Sequence, residues 1–156
     1  MRFLHLGDLH LGKTLGDFDL IEDQKYILDQ ILHITEEKSI DGVLIAGDVY
    51  DKSIPSEAAT KLLDYFLIAL AAKGIKVFMV SGNHDSDERL NFGSTLFASS
   101  QIFISAVFDG TLHRQSFADG DTEIAVYMLP FVKASQVRHY FPDEDINSYD
   151  DAVRTI

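Results

Sequence analysis

The sequence predicts an α/β fold with a largely parallel sheet, and three observations carry that expectation. Short apolar runs of strand length recur through the first half, segments of helical period separate them, and each of the first three runs ends in a glycine-containing polar cluster. Residues 2–6, Gly42–Ala46 and Lys76–Val80 read as the strands. Between the first two, Ile27, Leu28, Ile31, Leu32 and Ile34 repeat at helical spacing, with Glu22, Asp23, Lys25, Asp29, Glu36 and Glu37 left for the wet side. A second helix is expected over Glu57–Ala72, opened by the start signal Pro55-Ser56. On a wheel of about 100° per residue its apolar side chains, from Tyr65 through Phe66 to Leu67, cover roughly 200°, wider than one sheet face needs. Two arrangements satisfy that arc: a neighbouring helix of the same chain, or a second subunit.

After Asn91 the pattern weakens and reads as more antiparallel. Residues 101–105 and 123–129 are expected strands, residues 111–117 form a third between turns at Asp109-Gly110 and Asp119-Gly120-Asp121, and residues 134–140 and 149–155 are short helices separated by the acidic loop 142–145. There is no internal repeat.

The 156 residues, 46% hydrophobic and 24% charged, suffice for one substantial core, so one domain or a large part of one is expected. No run of 18 apolar residues occurs, and the chain reaches Asp8 too early to build a signal-peptide core, so a soluble cytoplasmic protein is expected. With no cysteine, any metal must be held by oxygen and imidazole. A net charge of -12, from 13 basic against 25 acidic residues, argues against a general attraction to nucleic acid; divalent cations or a basic partner surface would offset it.

The clusters are Gly7-Asp8-Leu9-His10, Gly47-Asp48-Val49-Tyr50-Asp51 and Gly82-Asn83-His84-Asp85. Any one alone is ordinary turn chemistry. Together, delivered by three successive strand ends to the edge where open α/β sheets bind ligands, they form a donor set for hard or borderline divalent metals.

Their order resembles the signature of calcineurin-like metallophosphoesterases, and the flanks narrow the resemblance to the SbcD family of DNA-repair nuclease subunits: the opening from Arg2 to Lys13, Ala46 to Asp51 with the following Pro55, Ser81 to Ser86, and Leu129-Pro130-Phe131. The resemblance implies a β-sandwich flanked by helices (αββα), of which residues 1–156 are the N-terminal portion. It implies that Asp8 and His10 bind a first metal, Asp48 bridges two, Asn83 binds the second, His84 acts on the substrate, and Asp51 supports either His84 or the groups that surround the metal ligands. It further implies two divalent ions, manganese above all, with magnesium, iron and zinc also compatible; exonuclease and hairpin-endonuclease action on DNA ends and hairpins in repair and recombination; an SbcC-type ATPase partner; and a homodimer through helix 57–72 and its neighbours.

The family's later histidines have no counterpart here. His5, His33, His113 and His139 sit outside any cluster and read as structural or solvated. The chain therefore carries four of the expected ligands and is expected to be the N-terminal part of a longer domain, binding metal poorly and nearly inactive alone. The competing readings are a phosphomonoesterase or cyclic-nucleotide phosphodiesterase of the same superfamily, and a non-catalytic dimerisation module if the chain ends at Ile156.

Overall fold

A computed structural model describes residues 1–156. Its elements run β1 (Phe3–Leu6), β2 (Thr14–Leu15), β3 (Phe18–Asp19), α1 (Ile21–Glu37), β4 (Gly42–Ala46), α2 (Glu57–Ala72), β5 (Lys76–Val80), α3 (Asp87–Leu90), α4 (Ser94–Phe97), β6 (Ile102–Ser105), β7 (His113–Asp119), β8 (Thr122–Met128), α5 (Ala134–Tyr140) and α6 (Tyr149–Thr155). No helix is long and apolar enough to cross a membrane.

β1, β4, β5 and β6 form one parallel sheet in that order. Leu6 lies opposite Ile45, and Ala46 opposite Val80, so the three polar clusters leave the sheet at one edge. Pleating then divides the side chains between two faces. Val43, Ile45, Val77 and Met79 are buried in one cluster with Leu28 and Leu32 of α1 and Leu62, Leu63, Phe66, Leu67 and Leu70 of α2. On the opposite face Phe78 stacks on Phe103 and meets Phe117 of β7 edge-on, which seats the β7–β8 hairpin against the sheet. A smaller apolar cluster of Phe108, Val132, Val137, Ile146 and Ala152 joins α5 to α6.

The second half departs from the sequence expectation at one strand. β6 pairs with β5 in parallel, not antiparallel, across four residues from Val77↔Ile102 to Val80↔Ser105. The intervening residues 81–101 include α3 and α4, enough chain to return to the starting edge and run the same way again. Only β7 and β8 are antiparallel, joined by a tight turn at Gly120, whose φ is 62°, apart from the small β2–β3 hairpin. That hairpin, closed by Lys13 and Leu20 and turning at Gly16, was not anticipated from sequence.

α2 begins where Ser56 accepts a hydrogen bond from the Ala59 amide, the cap announced by Pro55-Ser56. Its wide apolar arc is covered on one flank by α1. The Tyr65 hydroxyl donates to Asp29 (2.5 Å), Lys25 sits 4.8 Å from the Tyr65 ring centre, and Lys73 pairs with Glu36. Tyr65 and Ile68 nonetheless remain 39% and 59% exposed.

This polar seam carries a pH signature. Hydrogen bonds from Lys25 and Tyr65 hold the Asp29 carboxyl below the ordinary carboxylate range, and the same bonds raise Lys25 and Tyr65 above theirs. The depressed carboxyl contributes fully above its unfolded value of about 3.9 and loses that contribution as pH falls through its folded value. The raised lysine and tyrosine contribute fully below about pH 10 and lose it as pH rises through their folded values. The seam is solvent-exposed, so the effect is small. Thermal melts of the native chain and Asp29→Asn should differ between about pH 5 and 9 and converge at both extremes; a constant gap from acid to base would contradict this assignment.

Candidate functional site

Hydrogen bonding between β1 and β4 does not stop where the strands do. His10 and Leu11 donate from their backbones to the Asp48 and Val49 carbonyls (both 2.9 Å), and Asp51 donates back to Leu11 (3.2 Å). The two loops therefore run side by side and place His10 against Asp48. Doing so forces Asp8, His10 and Asp48 into the left-handed region, with φ of 54°, 44° and 48°. Each such residue costs roughly 1–3 kcal/mol, a cost that persists only where surrounding bonds over-determine the backbone. Those interstrand bonds supply the constraint.

The third cluster closes from above by backbone contact. Gly47, at φ 82°, packs so tightly on Gly82 that a Cβ on Gly47 would lie 2.8 Å from the Gly82 Cα. This contact brings the His84 amide to Asp48, whose Oδ1 accepts it at 2.9 Å. Asp85 then staples the two loops: its carboxylate accepts from the amides of Gly82 (2.9 Å), Val49 (3.1 Å) and Tyr50 (2.9 Å).

The ligand atoms of Asp8, His10 and Asp48 lie within 4.8 Å of one another. His10 Nε2 is 3.6 Å from Asp8 Oδ1 and 3.9 Å from Asp48 Oδ2, while Nδ1 is 3.7 Å from Asp51 Oδ1. None of these is a hydrogen bond, and His10 Nδ1 is buried without a partner. Donors held about 2.1 Å from one ion stand roughly 3–4 Å apart, so the spacings of His10 to the two carboxylates, with oxygen and imidazole donors, fit a divalent cation.

The other residues singled out from sequence are near but differently placed. Asn83 is exposed on the loop after β5. The His84 ring stands edge-on to His10, with centres 4.9 Å apart at 83°. Its Nδ1 is 3.1 Å from the backbone carbonyl of Asp51, which can only accept, so Nδ1 carries a proton in this contact, which does not involve Nε2 of this exposed residue. The Asp51 carboxylate points instead toward His10 and toward Lys13, at 3.6 Å. His5 and His33 are exposed on β1 and α1, His113 approaches Asp109, and His139 packs on Tyr140.

Two residues of this region escaped the sequence reading. Asp85 was visible within its cluster but not as a staple. Gln24, in the first turns of α1, receives the Gly12 amide on Oε1 (2.9 Å) and donates from Nε2 to the carbonyls of Leu9 (3.2 Å) and His10 (2.8 Å). A lone glutamine near a helix start carries no pattern that would reveal this.

A family model for calcineurin-like phosphoesterases matches residues 1–150. The chain is 39% identical over 160 residues to the SbcD component of the nuclease SbcCD of Staphylococcus epidermidis; the match covers 98% of this chain and 40% of that relative. The chain thus spans about two-fifths of the relative's length.

Proposed function

From the premise that this chain belongs to the calcineurin-like phosphoesterase family and is SbcD-like along nearly its whole length, we propose that it is the N-terminal part of a metal-dependent DNA nuclease that hydrolyses phosphodiesters. The observation that carries this reading is the convergence of Asp8, His10 and Asp48 at one sheet edge with His84 beside them.

In this reading Asp8 and His10 would hold a first metal, Asp48 would serve both metals, and Asn83 would contribute to the second. The metals are divalent, with manganese the first choice; magnesium, iron and zinc suit the same donors. When bound, such ions neutralise the phosphodiester and make water acidic enough to attack near neutral pH. The protein's own part is orientation and proton delivery. Asp48 is aimed by the His84 amide, and the Asp51 carbonyl holds the His84 ring through Nδ1–H so that, in the doubly protonated imidazolium, Nε2–H can give its proton to the leaving oxygen and leave the ring neutral. Asp51 serves the site through that carbonyl, and through a carboxylate beside His10 that adds negative charge for the cation.

The substrates proposed are DNA ends and hairpins, cut by exonuclease and endonuclease action in the cytoplasm. The proposed partner is an SbcC-type ATPase, in keeping with the naming of the relative as one component of SbcCD. A homodimer through α2 and its neighbours accounts for exposed Ile68 and Tyr65, with Phe92 and Leu96 on the adjoining segment 84% and 77% exposed. Light scattering on the concentrated chain should report twice the monomer mass; a monodisperse monomer would remove the dimer from this proposal.

The direct test of the reaction uses residues 1–156 extended to the length of the relative, supplied with manganese. A hairpin DNA should be opened and its ends degraded, with p-nitrophenyl phosphate a poor substrate. Rapid hydrolysis of p-nitrophenyl phosphate with the hairpin intact would assign the chain to a phosphomonoesterase instead.

A further inference from the structure

The metal-site reading leaves open what fixes His10. Its ring makes no hydrogen bond, and its backbone sits at a φ of 44°, so its place depends on what grips the loop around it. On one side the grip is the loop after β4, through the His10 and Leu11 amides. On the other it is Gln24 alone among side chains: the amide spans the loop from the Leu9 and His10 carbonyls to the Gly12 amide. The His10 carbonyl also accepts from Lys13 at 3.1 Å, so both of its acceptor sites are filled.

Resting on the metal-site reading above, we infer that Gln24 is the positioning residue for His10, locking the loop after β1 to α1 so that Nε2 faces Asp8 and Asp48. The donor pattern is specific to a carboxamide. Its oxygen meets an N–H and its nitrogen meets two carbonyls, so all three contacts are complementary in one orientation and opposed in the flipped one. Glutamate has the same shape but turns an oxygen toward the Leu9 and His10 carbonyls. Methionine has similar length and helix propensity and offers neither donor nor acceptor of comparable strength. Glutamate also brings a negative charge closer to the cation site, which by simple attraction would strengthen metal binding; positioning predicts the reverse.

The test uses the 156-residue chain and two readouts. Without metal, amide hydrogen exchange of Gln24→Glu and Gln24→Met should be at least tenfold faster than native at His10 and Leu11, whose amides bond to the β4 loop and not to Gln24, while α2 and β5 exchange as before. With Mn²⁺, paramagnetic broadening of the His10 imidazole signals, which registers even weak binding, should need at least tenfold more Mn²⁺ in both variants. Unchanged exchange at His10 and Leu11 in either folded variant overturns the inference. So does an unchanged Mn²⁺ requirement, which a merely structural glutamine would show. If the native chain exchanges as expected but Mn²⁺ never selects His10, the metal-site reading fails while the hold of Gln24 on the loop stands.

Discussion

Replacing His84 with alanine, in the protein extended to its relative's length, is expected to slow manganese-dependent phosphodiester cleavage by about 10²- to 10⁴-fold while leaving the metal content unchanged. The two halves of this expectation rest on different atoms of one residue. In the proposed reaction the rate depends on the imidazolium form of the ring, whose Nδ1–H is engaged by the Asp51 carbonyl and whose Nε2–H is left to be given up. The proposed metal site is expected to depend instead on the backbone amide, which donates to Asp48 Oδ1 whatever the side chain is. Alanine removes the first and keeps the second. Because His84 is exposed, its loss should also alter stability by no more than about 0.5 kcal/mol. Elemental analysis of the purified variant beside a single-turnover rate separates the two effects. A native rate would remove His84 from the chemistry, and loss of the metals would recast it as a ligand.

The three polar clusters are legible in the sequence and the groups that hold them together are not, because the two kinds of information reside in different places. The bounds of β4, β5 and α2 coincide with the expected ones because local chemistry marks them: apolar runs that turn at glycine, a Ser56 cap, and Gly74 at φ 69° beyond the end of α2. Three polar clusters at three strand ends are likewise local patterns, so their shared edge followed from a parallel sheet alone. Strand direction is not local. Nothing within residues 102–105 distinguishes a parallel β6 from an antiparallel one; the length of the 81–101 connection decides it, and the antiparallel expectation failed there. The β2–β3 hairpin has two-residue strands, too short to display any period.

Side-chain and backbone roles were also inseparable from sequence. The resemblance gave support of His84 as one of two roles for Asp51, and the structure places the Asp51 carbonyl, not its carboxylate, against the ring. Gln24 and Asp85 illustrate the same limit. Each acts by pairing with backbone groups of another loop, and a backbone amide or carbonyl has no residue identity to read. The wide arc of α2 was legible as an excess of apolar surface; that α1 covers its Tyr65 flank was one of two arrangements the pattern allowed.

The largest stability effect is expected at Gly82. An alanine Cβ there would lie 2.8 Å from the Asp48 Cγ and nearer still to its Oδ1 and backbone nitrogen, so the loops after β4 and β5 must part. They cannot part cheaply. Asp85 binds the amides of Gly82, Val49 and Tyr50 with one carboxylate, and any retreat of Gly82 stretches bonds whose donors would then lack partners. Gly82→Ala should therefore lower the unfolding free energy by about 3 kcal/mol. In chains that still fold, the His84 amide should withdraw from Asp48 and the Mn²⁺ needed to broaden the His10 signals should rise at least tenfold. Gly74→Ala is the control, since a Cβ there meets nothing within 4 Å and only the φ of 69° is strained, at roughly 1–2 kcal/mol. If the two variants melted together and Gly82→Ala kept the native Mn²⁺ response, the loops would be free to separate, and close glycine packing could not be what aims Asp48.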